Sequence, residues 1–162
     1  MSPESSATPY TLNHEEGEAL WFFGTLIFVR ASSEQTAGMA CLIEQLAPKG
    51  MATPLHRQPD DSETFYVFEG QATFRAGDNS AQVGSGATVH VPAGTPHAFR
   101  IDSDTARILV LTTAQHEAFF RAAGEPAGER TLPPAGPPNL DRVGAAAERF
   151  GVEILGPPPF EE

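Results

Sequence analysis

Between residues 18 and 112 the chain is a succession of short β-rich runs divided by turn chemistry. The runs are "ALWFFGTLIFVR", "AGMACLIEQLA", "TFYVFEG", "QATFRAG", "ATVHVP", "HAFRI" and "ARILVLTT". Between them stand "ASSEQT", "PKGMATP", "GDNS", "PAGTP" and "DSDT", all rich in residues that favour turns. A parallel α/β sheet needs helical crossovers, and this stretch contains no helix-period segment long enough to be one. The pattern predicts an all-β domain, a sandwich or barrel.

The pattern changes after Thr112. Thr112 followed three residues on by Gln115 has capping-box spacing, and "AQHEAFFRAAG" reads as a short helix ending near Gly124. "EPAGERTLPPAGPP" reads as a Pro/Gly linker crossing the surface. Asn139 is placed to cap a second helix, with Leu140, Val143, Ala147 and Phe150 at helical spacing. Gly151 ends it, and "VEIL" is a candidate edge strand. The expected organisation is an N-terminal arm over 1–17, flexible or strand-exchanging, a β body over 18–112, and a C-terminal helical and Pro-rich appendage over 113–162.

At 162 residues one domain with a real core is expected, and a hydrophobic fraction of 40% with 11 Phe supports it. A formal net charge of −11 speaks against nucleic acid and against an anionic membrane surface. No apolar run approaches the roughly 18 residues of a membrane span, and the polar, acidic beginning does not read as a signal peptide. A cytoplasmic, soluble protein is expected. The single cysteine, Cys41, lies in an apolar run and reads as a buried, inert thiol.

Residues two apart on a strand share a face. His56 and Gln58 then point together if both lie on one strand. Glu63 opens the next run, with Phe65 and Val67 on its face, and His97 follows a Pro-Ala-Gly-Thr-Pro turn, with Phe99 and Ile101 on its face. Two imidazoles and a carboxylate meeting in one interior would suit a divalent first-row metal with open positions. The same residues scattered on the surface fit the spacing as well. Asp60 and Asp61 compete with Glu63 for the acidic role, and His14, His90 and His116 read as surface residues. Arg57 and Arg100 should point outward.

The two stretches resemble the paired motifs of the cupin superfamily. Gly50, five residues, His56-Arg57-Gln58, four residues, Glu63, six residues and Gly70 follow the first motif. Gly86, five residues, Pro92-Ala93-Gly94, two residues and His97 follow the second, with Ile101 where the motif has Asn. The 15 residues between them suit a compact member. The wider order of the chain is similar to small single-domain cupins described as quercetin 2,3-dioxygenase-like. The resemblance implies a cupin-type jelly-roll barrel and a homodimer. It implies a metal site at His56, Glu63 and His97, with Gln58 where the family has a third histidine.

An amide oxygen is a hard, weak donor beside an imidazole. Gln58 is therefore either a weak fourth ligand or a hydrogen-bonding neighbour of a site on the other three. Loss of the metal and a pure binding pocket are further alternatives. The metal would be Fe, Ni, Mn, Co, Cu or Zn. With it, the resemblance implies an oxygenase acting on an aromatic or enol-type, flavonol-like molecule, Glu63 serving as ligand and as base. Phe65, Phe99 and Ile101 would wall the substrate pocket, with Trp21, Phe28 and Phe74 as weaker candidates. A non-redox cyclase, isomerase or decarboxylase, or a non-catalytic small-molecule-binding cupin, are the alternatives.

Overall fold

The computed structural model describes residues 8–161; residues 1–7 of the expected arm, and Glu162, lie outside the described residues. Ten strands follow one another first: β1 (Glu18–Phe22), β2 (Thr25–Ala31), β3 (Cys41–Pro48), β4 (Leu55–Arg57), β5 (Glu63–Glu69), β6 (Ala72–Ala76), β7 (Asn79–Val83), β8 (Thr88–Val91), β9 (His97–Ile101) and β10 (Thr105–Thr112). Helix α1 (Ala114–Ala123), the short β11 (Glu125–Pro126), helix α2 (Leu140–Arg149) and β12 (Glu153–Gly156) complete the chain. The first long apolar run is thus two strands, turning at Phe23 and Gly24, both at positive φ.

All pairings are antiparallel. One sheet runs β11-β1-β2-β3-β10-β5-β8 and the other β12-β4-β9-β6-β7. Alternation in the sequence becomes alternation in burial: β3 has every second residue buried, and β5 buries Glu63, Phe65 and Val67. Inward residues of both sheets share one core, including Ile27, Ile43, Phe74, Phe99, Ile108 and Val110. Phe65, Phe74 and Phe99 meet there with centroids 5.1–5.8 Å apart, worth about 0.5–1.5 kcal/mol per pair beyond area burial. Cys41 is buried among them, as expected, and burial with the nearby Glu117 pushes its thiol up to about 12.

β2 is buried on both faces, because the Pro/Gly segment after β11 crosses its outer side. The Arg130 guanidinium sits 5.6 Å from the Phe28 ring, and Trp21 Nε1–H donates to the Thr131 carbonyl at 2.9 Å. Phe28 is therefore covered from outside and is no part of an inner pocket.

Helix α1 begins one residue later than its capping spacing suggests. Thr112 is still the last residue of β10, its hydroxyl given to the Ser62 carbonyl. Thr113 is the cap, accepting the His116 N–H at 3.2 Å. Asp61 then accepts from the Thr113 hydroxyl at 2.6 Å and from the Gln115 amide at 3.1 Å, tying the β4–β5 loop to the helix start. Asn139 caps α2 as read, accepting from the Arg142 N–H, and β12 forms the edge of the smaller sheet beside β4. Among the described residues no helix is long and apolar enough to cross a membrane.

Candidate metal centre

The site lies where the two sheets face each other. His56 on β4 and His97 at the start of β9 are register partners in the smaller sheet. Glu63 opens β5 in the larger sheet, paired with Val91 of β8. One ligand atom from each of His56, Glu63 and His97 lies within 4.8 Å of the others, with Glu63 and His97 buried. The two imidazole rings stand 4.3 Å apart.

Each ring is held the same way. His56 Nδ1–H donates to the Pro54 carbonyl at 2.7 Å, and His97 Nδ1–H to the Thr95 carbonyl at 2.8 Å. A carbonyl only accepts, so the hydrogen sits on Nδ1 in both rings and Nε2 remains the free donor atom. His97 Nε2 lies 3.3 Å from Glu63 Oε1. Two donors bound to one ion at about 2.1 Å and roughly at right angles or a little wider stand about 3.0–3.4 Å apart. Two imidazole nitrogens turned inward beside a carboxylate form a donor set compatible with a divalent metal.

The electrostatics agree. Burial disfavours the Glu63 carboxylate, but His116, His97 and His56 outweigh it and hold its pKa at about 2. Burial, then the neighbouring His97, keeps His56 down at about 4. For His97, burial opposes the charge, yet the contact with Glu63 and the Thr95 carbonyl raise its pKa above the ordinary value. Burial keeps His116 low in spite of Glu63 and Asp61.

Several sequence expectations fare differently here. Gln58 stands just beyond the end of β4, because the chain turns there: its carbonyl accepts the Gly94 N–H at 2.8 Å. Its amide Nε2 lies 2.8 Å from both ring nitrogens of His116, and its Oε1 is buried without a hydrogen-bond partner among the described residues. His116, read as a surface residue, is 3% exposed, and its Nε2 lies 3.5 Å from Glu63 Oε1. The signal was present in the helix pattern. His116 shares its face with Phe119, Phe120 and Ala123, so a polar ring rides on the buried stripe of α1.

Asp61 is buried too, but as a partner of the helix cap rather than of the site. His90 stays on the outside, hydrogen-bonded to the Thr64 hydroxyl at 2.9 Å, and His14 is exposed. Arg57 points out to Glu153 and Arg100 to Asp102.

Beside the donors lies a cavity of about 60 Å³. Phe65 and Phe99 line it, joined by Phe22, Phe119, Phe120 and Ile154. Ile101 does not line it; it is 1% exposed and packed deeper in the barrel core. Trp21, Phe28 and Phe74 are also outside the lining. From the larger sheet, Gln45 reaches the cavity and is satisfied by the Thr25 hydroxyl at 3.0 Å. Typical ligand pockets enclose about 300–1,000 Å³. A flat aromatic molecule would fit only if the walls from α1, α2 and β12 gave way.

Comparison with known proteins agrees with this geometry. A family profile described as a cupin domain matches residues 42–113. The chain is 32% identical over 154 residues to the quercetin 2,3-dioxygenase of Bacillus subtilis (strain 168), covering 93% of this chain and 45% of that protein. It spans about half the length of the curated relatives it matches. The polyketide cyclase RemF of Streptomyces resistomycificus superposes with a TM-score of 0.58 at 22% identity, over 66% of this chain and 80% of that one. A predicted oxalate decarboxylase of Thermotoga maritima superposes with a TM-score of 0.59 at 14% identity, over 64% of this chain and 98% of that one. At those identities the two superpositions speak for the fold alone.

Proposed function

We propose that this chain, a cupin that resembles quercetinase-like proteins, is a metal-dependent enzyme, and that it oxygenates an aromatic or enol-type small molecule. The observation that carries the proposal is the convergence of two imidazole Nε2 atoms, each fixed by its Nδ1 bond, on the carboxylate of Glu63. His56, Glu63 and His97 would hold the ion. A divalent first-row metal bound there supplies Lewis acidity and a template for a bidentate enolate, and with dioxygen it supports oxidative cleavage.

The chain's own residues do the rest. Phe65, Phe99, Phe119 and Phe120 exclude water from the donors and offer flat apolar walls. Glu63, held at about 2 by its imidazole neighbours, stays ionised, which suits a ligand better than a resting base. As the resemblance implies, the same carboxylate would also accept the proton of a substrate hydroxyl.

The commitment of Gln58 to His116 favours a second reading. A donor set of two imidazoles and one carboxylate, without a third strand-borne histidine, also serves a metal with no redox duty. Cyclisation, isomerisation or decarboxylation would need only its charge.

The test is to measure bound metal in the full chain as purified and then follow turnover of a flavonol with and without oxygen. The oxygenase reading expects stoichiometric metal and turnover that stops when oxygen is removed. Turnover unaffected by oxygen moves the assignment to the non-redox reading. A chain that takes up no divalent metal overturns both.

A further inference from the structure

We propose that Gln45 is a specificity-determining residue: its amide oxygen accepts a hydrogen bond from a hydroxyl on the part of the substrate held away from the metal centre. The proposal rests on the enzymatic reading above in taking the occupant of the cavity to be a substrate. The open acceptor itself belongs to the barrel, with or without a metal.

β3 turns Cys41, Ile43, Gln45 and Ala47 into the barrel, and the other three are apolar. Gln45 is 3% exposed and lines the cavity. Burying an amide among such neighbours costs free energy unless its donors and its acceptor find partners. Thr25 decides which end of the amide has one. The Thr25 hydroxyl donates its one hydrogen to the Phe22 carbonyl at 2.5 Å. Toward Gln45 that hydroxyl is left only to accept, so the group 3.0 Å away is the NH2 and not the carbonyl. Oε1 is thereby turned away from Thr25, and among the described residues no side chain or backbone N–H donates to it. Nor is it sealed in, because Gln58 Oε1 is the single side-chain polar atom among the described residues that is both fully buried and without a partner. With its side chain inside the barrel, the space that Gln45 Oε1 meets is that of the cavity.

The place of Gln45 sets what it recognises. β10 lies between β3 and β5, so Gln45 is two strands away from Glu63 in the larger sheet. Neighbouring strands are about 4.8 Å apart, which makes the lateral step about 10 Å. A molecule gripped at one end by His56, Glu63 and His97 meets Gln45 with another part. The wall around that part is largely apolar, with Phe22, Val110 and Phe119 in the lining. Thr53 also lines the cavity, but its hydroxyl oxygen already accepts the Phe99 N–H at 3.0 Å. A neutral acceptor in an apolar wall suits a neutral donor, a phenolic or alcoholic hydroxyl. A carboxylate, a ketone or an ether would set lone pairs against Oε1. Gln45 thus selects molecules that have a hydroxyl at this point, and fixes which way round they bind.

The test uses phenol and anisole as probes, alike in their ring and different in that only phenol donates. Their affinities for the full chain and for Gln45→Leu are measured by NMR titration, with the Gln45 side-chain amide resonances as the local readout. In the unaltered chain phenol is expected to bind about 10-fold more tightly than anisole and to shift those resonances. Gln45→Leu, which keeps the bulk and loses the acceptor, is expected to bind the two alike. Circular dichroism verifies folding, and Gln45→Met takes its place if the leucine variant does not fold. Equal affinities in the unaltered chain, tighter binding of anisole, or binding of neither probe overturns the proposal. So does a preference for phenol that survives in Gln45→Leu, which would put the hydroxyl on the metal centre instead. A chain that binds no divalent metal yet prefers phenol through Gln45 upholds the acceptor and removes the metal reading alone. Metal-dependent turnover without that preference does the reverse.

Discussion

His56 and His97 face each other across the β4–β9 ladder with ring centroids 4.3 Å apart, and Ile154 of β12 is the register partner of His56 on its other side. The two imidazoles thus have a spacing set by backbone hydrogen bonding rather than by side-chain flexibility. Replacing either with alanine leaves the ladder intact. His97→Ala is expected to lower divalent-metal affinity on the order of 100-fold or more, with an unchanged circular dichroism spectrum. Metal titration with a competing chelator measures it, and native-like affinity in the variant contradicts the donor assignment.

Ile154 makes a different prediction. It is 48% exposed yet lines the cavity from the edge strand, so shortening it opens the mouth at little cost to the core. Ile154→Ala is expected to strengthen binding of a flavonol probe on the order of 10-fold, and Ile154→Trp to weaken it by a similar factor. Isothermal titration of both variants against one probe is the check. Equal affinities would mean that ligands enter elsewhere.

Two glycines of the first motif should respond unequally. Gly70 has φ +92°, and a Cβ there would stand 2.5 Å from the Thr105 carbonyl oxygen and 2.8 Å from Ala106 Cα. Gly50 has φ +83° with open space around it. Gly70→Ala is expected to cost about 3 kcal/mol or more, strain and backbone clash together, and Gly50→Ala about 1 kcal/mol, strain alone. Urea unfolding of the pair decides it.

Glu117 offers a pH-dependent test away from the metal centre. It accepts the Ser33 N–H at 2.8 Å and faces Arg121 at 3.4 Å. Burial opposes its charge, but the Ser33 N–H, Cys41 and Arg121 prevail and its pKa is lowered from 4.5. A carboxyl depressed in the folded state contributes fully above its unfolded value and loses that contribution as pH falls through the folded one. Glu117→Gln is therefore expected to lose about 2 kcal/mol near neutral pH. The gap from the unaltered chain should close as the pH is taken below 4.5. A gap that stays constant into acid would assign the effect to packing.

Much of this was legible beforehand because it is local. Strand alternation in β3 and β5 shows in the letters, Asn139 announces α2, and the motif resemblance singles out His56, Glu63 and His97, which the fold brings together. What was not legible depends on how separate pieces dock. His116 sits on an apolar helical stripe, but no periodicity tells which part of the barrel that stripe covers. Gln58 reads as a strand residue because its parity matches His56, whereas the chain has already turned toward Gly94. Ile101 shares a face with His97 and Phe99, yet two residues further along β9 is already below the cavity floor.

The Asp61 clasp on Thr113 and Gln115 couples the candidate site to a distant part of the chain. The loop that spaces the imidazole of β4 from the acid of β5 is buckled to an element that follows the last barrel strand. Substitutions in that later element, remote in sequence from any donor, are thus levers on donor spacing. A change at Thr113 or Gln115 would then be felt between His56 and Glu63 while β4 and β5 keep their residues.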